Sequence, residues 1–282
     1  MTFTIRFWGV RGSIATPGPA TAGVGGNTSS VEVVCGASRI LLDAGTGIRA
    51  LGESLLRQGP VQATLLLSHH HWDHIQGLPF FAPLYLPTTE LLVVGPHGDR
   101  LPNREVLASQ MSAPGFPVRL AELPCRLDTR EVRAGERFAV GGARVTVARG
   151  NHPGGSLAYR IDYAGRSLVY ATDTEPYGCL DPALAALAAD ADVLVYDSQY
   201  TPAEYRGEGG PARVGWGHST YEAGARLARA ARVGEYLLYH HDPSRDDAAV
   251  AELERRAQAL YPSARAAREG LVIELGAGAV AA

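Results

Sequence analysis

The sequence predicts an α/β fold, on three observations. Short apolar runs rich in Val, Leu and Ile recur along the 282 residues. From Ser167 onward these runs alternate with segments of helical period. No low-complexity tract or long linker interrupts the chain, so residues 1–282 read as a single domain.

The elements follow in order. "FTIRFWGV" alternates as a strand does, and a Gly/Pro-rich loop, "RGSIATPGPATAGVGGNTSS", leads to strands "VEVVCG" and "RILLDAG". In "GTGIRALGESLLRQG" the spacing of Ile48, Leu51 and Leu55 puts them on one helical face, and Gly59 is placed to stop the helix. A strand "TLLLS", a strand "LLVVGP", a helix around "NREVLASQM" and strands "ERFAV" and "ARVTVA" fill the middle third. Then come strand "SLVYATD", a helix near "DPALAALAAD", strand "DVLVYDS", helix "STYEAGARLARAAR", strand "YLLYHH" and a final helix with Val250, Leu253, Ala257 and Leu260 as its buried stripe.

Bulk properties exclude several function classes. A net charge of −3 gives no general attraction for a polyanion, so duplex DNA is not an expected partner. All 26 basic residues are arginine, which with the wealth of Ala, Gly and Pro reflects coding bias more than function. Cys35, Cys125 and Cys179 form no CxxC pair and are too scattered for a disulfide framework. The N-terminus lacks a basic leader and an apolar core segment, and no run reaches the roughly 18 residues of a membrane span. A soluble, cytoplasmic protein with no membrane partner is expected, and a homodimer is compatible with the sequence.

One pattern carries chemistry. Repeatedly an apolar strand ends and metal-ligand residue types follow: "TLLLS" delivers His69, His71, Asp73 and His74; "RVTVARG" delivers His152; "LVYAT" delivers Asp173; "YLLY" delivers His240. Strand ends converge at a sheet edge, so five histidines and two carboxylates can meet there and suit two metal ions. Imidazole with carboxylate favours Zn²⁺, with Mn²⁺ and Fe²⁺ as competitors. His70 and His241, adjacent to these residues, point elsewhere by alternation, and His97 reads as surface loop. Asp43 in "LLDAG" reads as a support for the ligand loop rather than a ligand.

"HHHWDH" with "NHPGG", "YATDTE" and "YHHDP", in that order, resembles the metallo-β-lactamase superfamily of metal-dependent hydrolases. "GNTSS", "LLDAGTG" and "GHST" bring it nearest to the branch that includes RNase Z and bacterial cyclic-nucleotide phosphodiesterases. The resemblance implies a four-layer αββα sandwich. It implies that His69, His71 and His152 hold one metal, that Asp73, His74 and His240 hold the other, and that Asp173 bridges them. Two such ions lower the pKa of a shared water and clamp an in-line displacement, with Asp73 orienting that water. It further implies a catalytic role for His218 in "GHST", with Asp197 of "VYDSQY" orienting it. Ser219 and Glu222 match an S-x-x-E capping box, which would put His218 directly before a helix N-terminus, an electropositive place for phosphate.

The expected substrate is a small or short, flexible phosphodiester such as a cyclic nucleotide. The absence of an obvious basic arm argues against a tRNA-processing role. A thioester or lactam hydrolase on the same fold is the alternative enzyme, and a noncatalytic metal-binding regulatory module the alternative from another class. Two further expectations concern loops: residues 200–217 are expected to overhang the site and gate it, and "GNTSS" is either a phosphate-binding turn or a structural one.

Overall fold

A computed structural model describes residues 2–97, 101–176 and 178–276. The first half of the chain builds one sheet from β1 (Phe3–Gly9), β2 (Ser30–Cys35), β3 (Ser38–Leu42), β4 (Gln62–Leu66), β5 (Glu90–Pro96) and β6 (Arg126–Val132). Its helices are α1 (Ile48–Leu56), α2 (Trp72–Ile75) and α3 (Asn103–Gln110). The second half supplies β7 (Arg137–Val140), β8 (Ala143–Gly150), β9 (Ser156–Tyr163), β10 (Arg166–Ala171), β11 (Val193–Asp197), β12 (Glu235–Tyr239) and β13 (Ala264–Ala266). With them go α4 (Pro182–Ala188), α5 (Pro202–Arg206), α6 (Tyr221–Ala230) and α7 (Asp247–Leu260). The last strand, β14 (Val272–Leu275), crosses back to pair antiparallel with β1. Spatial order is β14-β1-β2-β3-β4-β5-β6 in one sheet and β13-β12-β11-β10-β9-β8-β7 in the other.

Period-two alternation sorts each strand's side chains between two cores. Ile40, Leu42, Leu66 and Val94 of the first sheet face Val145, Tyr159, Leu168, Tyr170 and Val195 of the second in one shared core. Their neighbours Leu41, Leu65 and Val93 point outward onto Ile48, Leu51 and Leu55 of α1. Likewise Val169, Leu194 and Leu238 point outward onto Leu184, Leu227 and Leu253 of α4, α6 and α7. The result is helix, sheet, sheet, helix: the αββα sandwich that the resemblance implies.

The strands that end in candidate ligands share a direction within each sheet. β3, β4, β5 and β6 pair parallel, as do β10, β11 and β12. β8 and β10 both run antiparallel to β9, so they too share a direction. Ends of β3, β4, β8, β10, β11 and β12 are thereby delivered to one rim.

Several local expectations need correction. Leu260, the last residue of α7, is exposed rather than buried, so the apolar stripe ends at Ala257. The N-cap of α6 is Thr220, whose hydroxyl accepts from the Ala223 amide, and not Ser219. Ser219 is spent elsewhere: its amide donates to Asp197 Oδ1 and its hydroxyl to the Tyr196 hydroxyl. The capping box instead closes at Thr201 and Glu204, starting α5 within the stretch read as loop. "GNTSS" is a structural turn. Asn27 donates through its backbone and side-chain nitrogens to Glu269, and Thr28 and Thr46 exchange hydrogen bonds.

Candidate metal centre

The segment after β4 is shaped by one buried carboxylate. Asp43, at the end of β3 with φ +60°, accepts from the Ser68 amide at 2.7 Å, the Ser68 hydroxyl at 2.8 Å and the Tyr170 hydroxyl at 2.8 Å. Its Oδ2 lies 2.8 Å from Nδ1 of His74. A carboxylate can only accept, so Nδ1 carries a proton, and in the neutral ring the lone pair is on Nε2.

Three groups of donor atoms converge on the rim, each with all its atoms within 4.8 Å of one another: His69, His71 and His152; Asp73, His74, Asp173 and His240; and Asp173, Asp197, His218 and His240. Asp173 stands between the first two. Its Oδ1 is 3.2 Å from His74 Nε2 and 3.3 Å from His240 Nε2, while its Oδ2 is 3.7 Å from His69 Nε2 and 3.8 Å from His152 Nε2. Asp73 Oδ2 lies 3.3 Å from His74 Nε2 and 3.2 Å from His240 Nε2, and His71 Nδ1 is 3.0 Å from His152 Nε2. Donors bound at about 2.0–2.1 Å in a tetrahedron stand roughly 3.3 Å apart, which is the spacing seen here.

The donor set fits divalent cations on a second ground. Nε2 of His69 and Nε2 of His74 are buried and, among the described residues, neither makes a well-formed hydrogen bond, His74 Nε2 having only the two carboxylates beside it. Buried polar atoms are rarely left so, and a ligand role accounts for both. Charge points the same way. Burial opposes protonation of His74, yet Asp173, Asp73 and Asp43 outweigh it and hold its pKa well above the usual value. Burial likewise opposes ionisation of Asp173, but His240, His74 and His69 pull it well below the usual carboxylate range. Without a metal, a proton on His74 compensates carboxylates that a cation would neutralise better. Burial lowers His69, His71 and His152, keeping them neutral and able to ligate.

Outer contacts fix the remaining groups. His152 Nδ1 lies 2.8 Å from the Gly217 carbonyl, and His240 Nδ1 lies 2.9 Å from Gln199 Oε1. The Ser13 amide donates to Asp73 Oδ2 at 2.7 Å from a backbone at φ +63°, and the Thr172 hydroxyl donates to Asp173 Oδ1 at 2.7 Å. His218 Nδ1 is 2.8 Å from Asp197 Oδ2, leaving Nε2 unengaged by that carboxylate. Burial disfavours its charge, but the Asp197 carboxylate prevails and raises His218 to about 9. Bound cations nearby would lower it again.

Every residue singled out in the sequence for metal binding or catalysis is therefore at this rim. His70 is half-buried and belongs to none of the three groups. His241 is buried with Nε2 2.9 Å from the Ala267 carbonyl, and His97 is exposed. Sequence reasoning missed Ser13, Gln199, Glu175 and the Gly217 carbonyl. Glu175 accepts from the Tyr205 hydroxyl at 2.6 Å, the Gly215 amide at 2.7 Å and the Gly217 amide at 2.9 Å. It thus ties down the 200–217 segment, which forms a wall beside His218. "YATDTE" contained the signal, since a second carboxylate stands two residues after Asp173.

A family model described as "Beta-lactamase superfamily domain" matches residues 38–241. The chain is 30% identical over 285 residues to Ribonuclease Z of Mycolicibacterium paratuberculosis, covering 92% of this chain and 91% of that one. Its fold is similar to that of the metallo-beta-lactamase fold protein YhfI from Bacillus subtilis, with TM-score 0.72, 19% identity and coverage of 97% and 99%. It is also similar to a diphosphatase of the PhnP family, with TM-score 0.71, 18% identity and coverage of 98% of both chains.

Proposed function

The chain belongs to the beta-lactamase superfamily, and from that premise we propose that it is a phosphodiesterase working with two divalent metal ions. His69, His71 and His152 would hold one ion and Asp73, His74 and His240 the other, with Asp173 placed to serve both. Zn²⁺ is the preferred ion for this mixture of imidazole and carboxylate. The observation that carries the reading is His218, held by Asp197 at 2.8 Å and lining the same cavity as Asp73 and Asp173.

When bound, the ions supply a water of lowered pKa and a clamp on the phosphoryl oxygens. The chain's own groups do the rest. Asp43, Gln199 and the Gly217 carbonyl hold His74, His240 and His152 in the tautomers that expose the ligating nitrogen. The Ser13 amide fixes Asp73. Asp197 holds His218 so that Nε2 can give a proton to a leaving alkoxide oxygen. A thiolate leaves without such help, which disfavours the thioester alternative. Names of similar proteins, a ribonuclease and a diphosphatase, lend support from chemistry at phosphorus.

We take the substrate to be a short or flexible phosphodiester, single-stranded RNA included. The test is to incubate zinc-loaded protein separately with bis(p-nitrophenyl) phosphate, a short RNA, a thioester and a lactam. Metal-dependent hydrolysis of the first two, without the others, is expected. Turnover confined to the thioester or lactam, or none at all, would overturn the reading.

A further inference from the structure

The cleft extends beyond His71 into a cavity of about 480 Å³, on whose walls stand His97, Arg133, Arg149 and the Gly154–Gly155 turn. Among the described residues lining it there is no Asp or Glu, whereas the adjoining metal centre presents Asp73 and Asp173. His70 and His71 line both spaces, so an occupant of the cavity is next to whatever lies over the centre.

Both arginines suit an anion. The Arg133 guanidinium donates to His97 Nε2 at 2.7 Å, and His97 Nδ1 lies 2.6 Å from Glu131 Oε2. An arginine can only donate, so Nε2 accepts from Arg133 and Nδ1 donates to Glu131. The carboxylate of Glu131 is therefore spent behind the imidazole, and Arg133 is oriented with its charge retained. Arg149, at the end of β8, has no carboxylate within ion-pair distance among the described residues, and its Nη2 lies over Gly155. Gly154 and Gly155 adopt φ +79° and +85°, and the space a Gly154 side chain would take is open. The turn after His152 thus adds no side chain to the cavity wall. Two planar forks of donors on the walls of a cavity without acids fit a phosphate, which accepts such hydrogen bonds in pairs.

We propose that Arg133 and Arg149 form an anion subsite for a second phosphate of the substrate, one nucleotide unit from the bond that is cleaved. The proposal rests on the phosphodiesterase reading and narrows it. A linear dinucleotide with a 5′-phosphate fills both places, whereas a cyclic mononucleotide has one phosphate and leaves the subsite empty.

The test compares the metal-loaded wild type with the Arg133→Gln/Arg149→Gln double variant on two substrates, ApA and 5′-phosphorylated pApA. Both side chains are exposed, so the variant is expected to fold, and circular dichroism checks this. The wild type is expected to favour pApA by roughly tenfold in kcat/KM, mainly through KM, and the variant to bring that ratio near one. Separately, inorganic phosphate is titrated into the metal-free proteins by calorimetry, with binding expected for the wild type and lost in the variant. Equal preference in both proteins, or equal phosphate binding, would overturn the subsite. If the wild type hydrolyses neither dinucleotide nor bis(p-nitrophenyl) phosphate, the phosphodiesterase reading fails, and the phosphate titration still decides the subsite.

Discussion

Replacing Asp43 by Asn changes one atom in the support of the metal centre and isolates what the carboxylate does. Asp43 sits at φ +60°, a region that Asn tolerates as well as Asp, so the backbone is not disturbed. Its Oδ1 can remain an oxygen facing the Ser68 amide. The new amide nitrogen then faces three donors that formerly shared Oδ2: the Ser68 hydroxyl, the Tyr170 hydroxyl and His74 Nδ1, each at 2.8 Å. Hydroxyls can rotate and accept, but an imidazole can accept at Nδ1 only by moving its proton to Nε2. That move removes the lone pair that faces Asp73 and Asp173.

Loss of such a supporting partner typically costs 10–100-fold in metal affinity, or about 1.4–2.7 kcal/mol. The expected outcome is a D43N protein that binds one zinc ion normally and the second 10–100-fold more weakly. Competition against a chromophoric chelator measures this. Metal-free D43N should also unfold roughly 5 °C earlier, because hydrogen bonds to a buried charge contribute about 2 kcal/mol. Two zinc ions bound with wild-type affinity would refute the tautomer argument.

His218→Ala and Asp197→Asn should each retain both ions by metal analysis while kcat falls by about 10²-fold or more, and wild-type turnover in either would remove His218 from the chemistry. Gly217→Ala should lose metal from the His69, His71 and His152 group. A Cβ there would lie 2.3 Å from His152 Nδ1 on a backbone at φ +85°, and an unchanged zinc stoichiometry would contradict this. Glu175→Gln should release the 200–217 wall. Its amide can accept on one oxygen only, so faster tryptic cleavage at Arg206 or Arg213 is expected with little change in the remainder of the digest.

How far the sequence foretold this arrangement depended on the range of the interactions. The histidines and aspartates were legible because each group follows an apolar strand, and a strand end shows in "TLLLS" or "YLLY" without knowledge of its neighbours. β6 was not foreseen. "RLDTREV" lies at the edge of its sheet, so charged residues take positions that an inner strand fills with Val or Leu. β9, β13 and β14 were missed as well, the last two being three and four residues long. The α6 cap was displaced by one residue because Ser219 had a tertiary partner, Tyr196, that local spacing cannot register. Gln199 and Ser13 escaped for the same reason: they act on residues 41 and 60 positions away.

Those long-range contacts also explain how two sheets hold one centre. Apolar packing between the sheets favours burial but specifies relative position only loosely, since hydrophobic contacts are not directional. Three buried tyrosines of the second sheet reach across to the first. Tyr170 donates to Asp43, Tyr159 to the Leu67 carbonyl and Tyr239 to the Gly9 carbonyl, at 2.7–2.8 Å. Each bridge ends within a few residues of a group that shapes the centre: Asp43 and His74, His69, and Ser13. An unmade bridge would strand a buried acceptor at a cost of about 1–3 kcal/mol, so a shift of one sheet against the other is penalised at three points beside the site. His69, His71, Asp73 and His74 follow the first sheet, while His152, Asp173 and His240 follow the second. The spacing of their donor atoms is thus constrained by directional bonds between the sheets, and the loops that carry these residues need only short reach from a fixed rim.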